Sequence, residues 1–250
     1  MRTPEQLVHS RARARGRYAL FPLEGYPFSR LPTWPSAQVR ILASPALGAG
    51  FAQYLIDLSA GAGGQFASDN RIETFYYVLS GAGRFQGLAE PLSAGSFGVI
   101  PPGAATPISA SAGEALSLLF LRKQYEPAAG IALFKPLHNH ESKIAKEIWA
   151  GNPRSLLQTL LPDEFAFDLA MNIFTFDPGF GLPIVETHVM EHGLLFLQGK
   201  GMYYLDGDWM EVEKDDFIWM GPYCQQSFYA TGPTPSRYIY YKNVNRDVSL

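Results

Sequence analysis

One pattern is written twice in this chain. Val78-Leu-Ser-Gly81-Ala-Gly83-Arg-Phe85 recurs 118 positions later as Phe196-Leu-Gln-Gly199-Lys-Gly201-Met-Tyr203. In both copies an apolar run meets Gly-x-Gly and emerges as another apolar run, which reads as strand, turn and strand. Further on, Ala94-Gly95-Ser-Phe-Gly-Val-Ile100-Pro-Pro-Gly103 parallels Lys214-Asp215-Asp-Phe-Ile-Trp-Met220-Gly-Pro-Tyr223. A β-rich segment then closes each copy, residues 116–125 in the first and 237–242 in the second. Such self-similarity means tandem units of one design. Many short strands punctuated by Gly, Pro and Asp predict an antiparallel sandwich or barrel. Asp206-Gly207, set between alternating residues, predicts a two-residue hairpin turn. The expected fold class is therefore all-β, as two tandem barrels.

Residues 126–165 change character, because Pro127, Gly130, Pro136, Gly151, Pro153 and Pro162 interrupt the apolar pattern as in a linker. Within it, Ser142 to Ala150 and Pro153 to Leu161 have the look of short helices, the second with Pro in its first turn. The expected division is an N-terminal arm (1–38), a first barrel (39–125), a linker with short helices (126–165) and a second barrel (166–250). The arm is rich in Pro and aromatics (Tyr18, Phe21, Tyr26, Phe28, Trp34) and is expected to wrap the barrels or a neighbouring subunit. Its basic run, His9 to Arg17, has no apolar core behind it and does not read as a signal peptide.

Composition removes whole classes of function. With 47% hydrophobic and 17% charged residues the chain is not disordered. A net charge of −3 without a basic stripe excludes a nucleic-acid partner. No apolar stretch approaches the ~20 residues of a membrane span, so a soluble protein with no membrane partner is expected. The single cysteine, Cys224, rules out an intrachain disulfide and suits the cytoplasm. It stands two residues before Gln226 and either lines the same cavity as that residue or packs as a small apolar side chain.

The second copy carries Glu186-x-His188-x3-His192, with Gln226 further on, in a chain of only five histidines. Even spacing puts these side chains on one face of an extended segment. One carboxylate, two imidazoles and an amide oxygen form a mixed N/O set suited to Mn²⁺, Fe²⁺, Co²⁺ or Ni²⁺ rather than to a structural zinc site. The competing reading is a pair of hydrogen-bonded core histidines. At the equivalent positions the first copy has Ser68, Asn70, Thr74 and Thr106, which hold a divalent ion poorly, so that copy is expected to be metal-free. Glu73 nearby is expected to pair with a basic neighbour. His138-x-His140-Glu141 also has ligand-like spacing, but it lies in the linker without a strand pattern and reads as polar residues at the surface.

Gly181-x4-Glu186-x-His188-x3-His192-x6-Gly199 resembles the first signature of the cupin superfamily, and Asp215-x5-Gly221-x-Tyr223-x2-Gln226 occupies the place of the second. The ligand types are permuted from the usual G-x5-H-x-H-x3-4-E-x6-G and G-x5-P-x-G-x2-H. With that permutation the chain is similar to the bicupin family of (S)-ureidoglycine aminohydrolases. Further matches are Glu-Thr-His-Val-Met-Glu-His-Gly (186–193), Gly-Lys-Gly-Met-Tyr (199–203) and Arg-Tyr-Ile-Tyr-Tyr-Lys-Asn-Val-Asn-Arg-Asp (237–247). Arg17-Tyr-Ala-Leu-Phe-Pro22 and Ser29-Arg-Leu-Pro32 resemble that family's N-terminal segment.

The resemblance implies two cupin (double-stranded β-helix, or jelly-roll) barrels and one Mn²⁺ per chain in the second, held by Glu186, His188, His192 and Gln226. It implies hydrolysis of a small ureide, ureidoglycine, to (S)-ureidoglycolate and ammonia in purine and allantoin catabolism. Tyr238 and Lys242 fall at the family's substrate-contacting tyrosine and lysine, and Glu186 and Gln226 at positions touching both metal and substrate. Tyr238, Tyr240 and Lys242 alternate onto one strand face. A lysine beside a divalent ion and out of water loses part of its charge and can act as general base, so Lys242 and Glu186 are the catalytic candidates. Tyr203, after the Gly-Lys-Gly turn, either walls the pocket or fills the barrel. A homo-oligomer is expected, because a bicupin has sheet edges to cover. The alternatives are a metal-dependent cupin of other chemistry, such as a dioxygenase or decarboxylase, and a non-enzymatic small-molecule-binding bicupin.

Overall fold

The structure, a computed structural model, describes residues 11–248; His9 and Ser10 of the basic run, the rest of the first ten residues, and residues 249–250 lie outside them. The described residues contain strands and three 3-10 turns and no α-helix. Contacts divide the chain into two compact units. One comprises the chain up to Tyr26, Ala145–Asp163 and Leu169–Asn245; the other comprises Pro27–Ile144, Glu164–Asp168 and the chain from Arg246 on.

The repeat of the sequence is a repeat of topology. In the unit built on Pro27–Ile144 the large sheet runs Leu137–His140, Ser96–Ile100, Ile72–Phe85, Leu116–Gln124, Phe51–Leu58, Trp34–Ala43, Ser29–Leu31. In the other unit the corresponding order is Tyr18–Phe21, Phe217–Met220, His192–Gln198, Ser236–Asn243, Leu169–Phe176, Asn152–Thr159, Glu147–Trp149, with Arg13–Ala14 added beyond Tyr18–Phe21. Every pairing is antiparallel.

The Gly-x-Gly elements do not reverse the chain. They carry a strand from one sheet into a second: Ile72–Phe85 pairs with Ser96–Ile100 in its first half and with Ile108–Ala110 in its last residues. Likewise His192–Gln198 lies in the large sheet and Lys200–Leu205 in a three-stranded sheet with Asp208–Glu213 and Gln226–Ala230. The corner needs glycine at both places. Gly81 and Gly199 have φ of 84° and 77°, and a Cβ there would meet the Ala115 and Pro235 carbonyl oxygens at 1.8 and 2.7 Å. The Asp206-Gly207 turn is a two-residue hairpin, with both residues at positive φ and Leu205 opposite Asp208.

Among the described residues each unit holds an apolar core cluster. In the unit containing residues 169–245, Leu20, Phe176, Phe196, Leu205, Val212 and Phe228 are at most 1% exposed. Burying each such aromatic or branched side chain contributes about 1.5–3 kcal/mol. In Asp208–Glu213 buried Met210 and Val212 alternate with exposed Glu211 and Glu213, whereas Phe217–Met220 is buried throughout.

The two short helices expected within 142–150 and 153–161 are not helices. Glu141–Lys143 is a single 3-10 turn, and Glu147–Trp149 and Asn152–Thr159 are strands joined by Ala150-Gly151, both at positive φ. Leucines 156, 157, 160 and 161 imitate a helical stripe, but the backbone of Ser155–Thr159 is taken up by Phe176–Asn172 of the adjacent strand. Ladder pairing overrides local propensity here. His138 and His140 also lie on a strand, Leu137–His140, paired to Ser96–Ile100 rather than free at the surface. His138 Nδ1 bonds Tyr76 at 2.8 Å, and His140 bonds the Ala94 carbonyl and Ser142. Glu73 meets Lys123 at 3.3 Å, as its sequence context predicts.

Candidate metal centre and active-site cavity

Three local pairings bring the candidate residues together. Glu186 and Gln226 face each other as an isolated antiparallel bridge, exchanging backbone hydrogen bonds of 2.8 and 2.9 Å. A doubly bonded pair of this kind sends both side chains to the same side. The ladder continues where Tyr223 N–H donates to the His188 carbonyl at 2.7 Å, fixing His188 two residues along. His192 opens its strand opposite Lys242 on one side and Met220 on the other. Lys242, Tyr240 and Tyr238 share one face of Ser236–Asn243.

These residues line one cavity of about 410 Å³. Its polar side is formed by Glu186, His188, His192, Tyr203, Gln226, Tyr238, Tyr240 and Lys242, which include every site residue expected from the sequence. Its apolar side includes Trp149, Phe174, Leu182, Leu194 and Met220. Cys224 does not line it. That thiol packs in the core, where burial pushes it up to about 12, far from a reactive thiolate.

The two imidazoles are arranged as a pair of acceptors. His188 Nδ1 bonds the Met190 carbonyl at 3.1 Å and His192 Nδ1 bonds the Tyr241 carbonyl at 2.8 Å. A carbonyl only accepts, so both Nδ1 atoms carry the proton and both Nε2 atoms present lone pairs. Those Nε2 atoms are 3.2 Å apart. Protonation does not relieve the repulsion: burial, and then His188 and Lys242, bring His192 down to about 3, and burial followed by Lys242 also lowers His188. The Gln226 amide stands 3.1 Å from His188 Nε2, and Tyr203 donates to its Oε1 at 3.4 Å. Lone pairs converging on a point that burial keeps free of protons suit a divalent cation, with Glu186 as the carboxylate of the same wall. Among the described residues no three His, Cys, Asp or Glu side chains already close on such a point, so the set depends on the Gln226 amide and on Glu186 turning inward.

Burial raises Glu186 against the pull of Lys242, and burial lowers Lys242 against the pull of Glu186. The tyrosines Tyr203, Tyr238 and Tyr240 are all pushed up by burial and remain phenols.

The equivalent place in the other unit holds a fixed cation. Arg122 is opposite Thr74 in the register that sets Lys242 opposite His192. Its Nε lies 3.4 Å from Thr74 Oγ1 and its guanidinium lies over Phe66 at 4.3 Å. Thr106 Oγ1 accepts from Phe66 N–H at 3.1 Å, and Ser68 donates to the Gly103 carbonyl at 2.7 Å. These polar groups are satisfied without an ion.

Sequence reasoning did not assign a role to Tyr240, nor name the apolar wall of Trp149, Phe174 and Leu182. Tyr240 had a signal, the same-face alternation with Tyr238 and Lys242. Trp149 had none, because its strand reads locally as helix.

No family model matches the chain. The (S)-ureidoglycine aminohydrolase of Escherichia coli (strain K12) is 34% identical over 252 residues, covering 98% of this chain and 96% of that protein. The enzyme of that name from Arabidopsis thaliana is 30% identical, covering 92% and 76%. The crystal structure of protein Ylba from E. coli matches over 100% of both chains at 33% identity with a TM-score of 0.86. A putative glyoxylate induced protein from Pseudomonas aeruginosa matches at 31% identity with a TM-score of 0.88, covering 96% of this chain and 93% of that one. Bacillus subtilis oxalate decarboxylase, at 10% identity and a TM-score of 0.72, shares the fold. End-to-end similarity of this kind, on a chain with a His–His–Gln cavity, shows that it belongs to the (S)-ureidoglycine aminohydrolase family.

Proposed function

We propose that this protein is a Mn²⁺-dependent (S)-ureidoglycine aminohydrolase, converting ureidoglycine and water to (S)-ureidoglycolate and ammonia in purine and allantoin catabolism. The observation that carries the metal part is the pair of Nε2 lone pairs 3.2 Å apart in a site where His192 is lowered to about 3. Glu186, His188, His192 and Gln226 would hold the ion, one per chain, and the unit carrying Arg122 would bind none. When bound, the ion supplies a Lewis acid and a template for a substrate oxygen.

The remaining work falls to the chain. Burial lowers Lys242, so Nζ spends part of its time neutral and takes a proton from the attacking water as the C–O bond forms. It returns that proton to the amine nitrogen as the C–N bond breaks, and ammonia leaves. Tyr203, whose hydroxyl donates to Gln226 Oε1, and Tyr238 packed beside it anchor the substrate's polar end. Trp149, Phe174 and Leu182 limit the water that reaches the aminal carbon.

The decisive assay is ammonia release from freshly generated ureidoglycine with and without added Mn²⁺. Ammonia release that depends on the metal supports the reading, and CO₂ loss or O₂ consumption in its place overturns it. The free, buried Cys224 suits a reducing cytoplasm, and no helix among the described residues is long and apolar enough to cross a membrane. A homo-oligomer is part of the same proposal.

A further inference from the structure

We infer that Asn243 is a positioning residue for the metal centre: by holding the Met190–Glu191 peptide it aims the His188 imidazole and fixes which ring nitrogen carries the proton. The inference rests on the metal reading proposed above and adds an assignment to it. Met190 and Glu191 share one peptide plane, and both polar groups of that plane are in use. Its N–H donates to Asn243 Oδ1 at 2.7 Å, and its carbonyl accepts from His188 Nδ1 at 3.1 Å. In a trans peptide those two groups point in opposite directions on a rigid plane, so holding one aims the other.

The two imidazoles are supported unequally. His192 is the first residue of its strand, and the carbonyl that its Nδ1 bonds belongs to Tyr241 in the paired strand. The ladder itself fixes that acceptor. His188 lies ahead of the strand, and its acceptor belongs to Met190, which is in no strand either. The ladder between His192–Gln198 and Ser236–Asn243 ends at the His192–Lys242 pair. At the next step the Asn243 side chain takes the Glu191 N–H in place of a backbone carbonyl. Glu191 is tied once more at its side chain, 8% exposed, where Oε2 accepts from Trp219 Nε1 at 3.4 Å. The bonds from Nδ1–H to the carbonyl and from the N–H to Oδ1 run in series, and such bonds polarise one another. The result is a His188 whose Nε2 lone pair is kept free and aimed at the point it shares with His192.

Asn243→Leu keeps much of the side-chain volume and deletes the acceptor, whereas Asn243→Asp retains it. By calorimetry the leucine variant is expected to bind Mn²⁺ about 10–100-fold more weakly than wild type, and the aspartate variant to recover most of that loss. In the metal-free protein, ¹⁵N NMR of the imidazoles should show His188 protonated at Nδ1 in wild type and Asn243→Asp. In Asn243→Leu it should show a mixture of tautomers at His188 and no change at His192. Asn243→Ala takes the same measurements if the leucine variant does not fold. A wild-type Kd for Mn²⁺ or an unchanged His188 tautomer in the variant without the acceptor overturns the inference. So does a folded aspartate variant as weak as the leucine one, because the acceptor would then not be what matters. Wild-type protein that binds no Mn²⁺ overturns the proposed metal centre instead, and the imidazole signals of the metal-free protein still decide the role of Asn243.

Discussion

His188→Ala tests the metal centre most directly. In the metal-free protein the two Nε2 atoms face each other at 3.2 Å as acceptors, with one contact from the Gln226 amide. An ion that binds only the folded state stabilises it by RT ln(1 + [L]/Kd), which is about 2.7 kcal/mol at 100 times Kd. At about 2–4 °C per kcal/mol for a chain of this length, added Mn²⁺ should raise the melting temperature by roughly 5–11 °C. The rise should appear in the transition of the unit that contains residues 169–245. His188 is only half-buried, and its one other hydrogen bond is a local one to Met190, so the alanine variant should fold. It should show no Mn²⁺-dependent rise and no stoichiometric metal by elemental analysis. Scanning calorimetry with and without Mn²⁺ makes the comparison. An equal rise in wild type and variant, or two ions per wild-type chain, would refute the reasoning.

Four further outcomes are expected. Lys242→Met should keep the metal and the fold and reduce kcat by at least about 10²-fold, and full activity would remove Lys242 from the chemistry. Within the unit containing Pro27–Ile144, Lys123 is buried between Glu73 and Asp168. Burial, and then Asp168, hold the Glu73 carboxyl well above its ordinary 4.5, so its contribution to stability is complete below that pH and declines as pH rises toward the folded value. The melting temperature of Glu73→Gln relative to wild type should therefore climb from pH 5 to pH 8, and a flat difference contradicts the assignment. Asp168→Ala, by contrast, strips Lys123 of its carboxylate and should cost about 3–5 kcal/mol in denaturant unfolding. Static light scattering at micromolar concentration should return a multiple of the 27.6 kDa chain, and a single-chain mass contradicts the proposed oligomer.

What the sequence made legible was set by distance along the chain. Glu186, His188 and His192 lie within seven residues, so their spacing alone put them on one face, and the cavity gathers them with Gln226. The repetition of one design was legible because each copy has to bury the same pattern of faces. The helices expected around residues 142–161 failed for a related reason. A leucine stripe at helical spacing carries no record of the strand Leu169–Phe176 that claims its backbone. Trp149 and Phe174 reach the cavity only through that pairing, so no local window contains them.

Comparison of the two copies carries the argument one step further. Both place a cation-bearing side chain opposite the last position of the first motif, Arg122 opposite Thr74 and Lys242 opposite His192. Where the neighbours are hydroxyls that bond the backbone, the guanidinium leans onto Phe66, always charged, and the site is complete. Where the neighbours are imidazoles whose Nε2 atoms face each other, an arginine would repel a divalent ion at every pH. A lysine whose charged form burial disfavours repels it less, and it alone can exchange a proton with water. Lys242→Arg should therefore be worse for metal retention than Lys242→Met, although it conserves charge. If Lys242→Arg holds Mn²⁺ as tightly as wild type, the side chain opposite His192 has no part in admitting the ion.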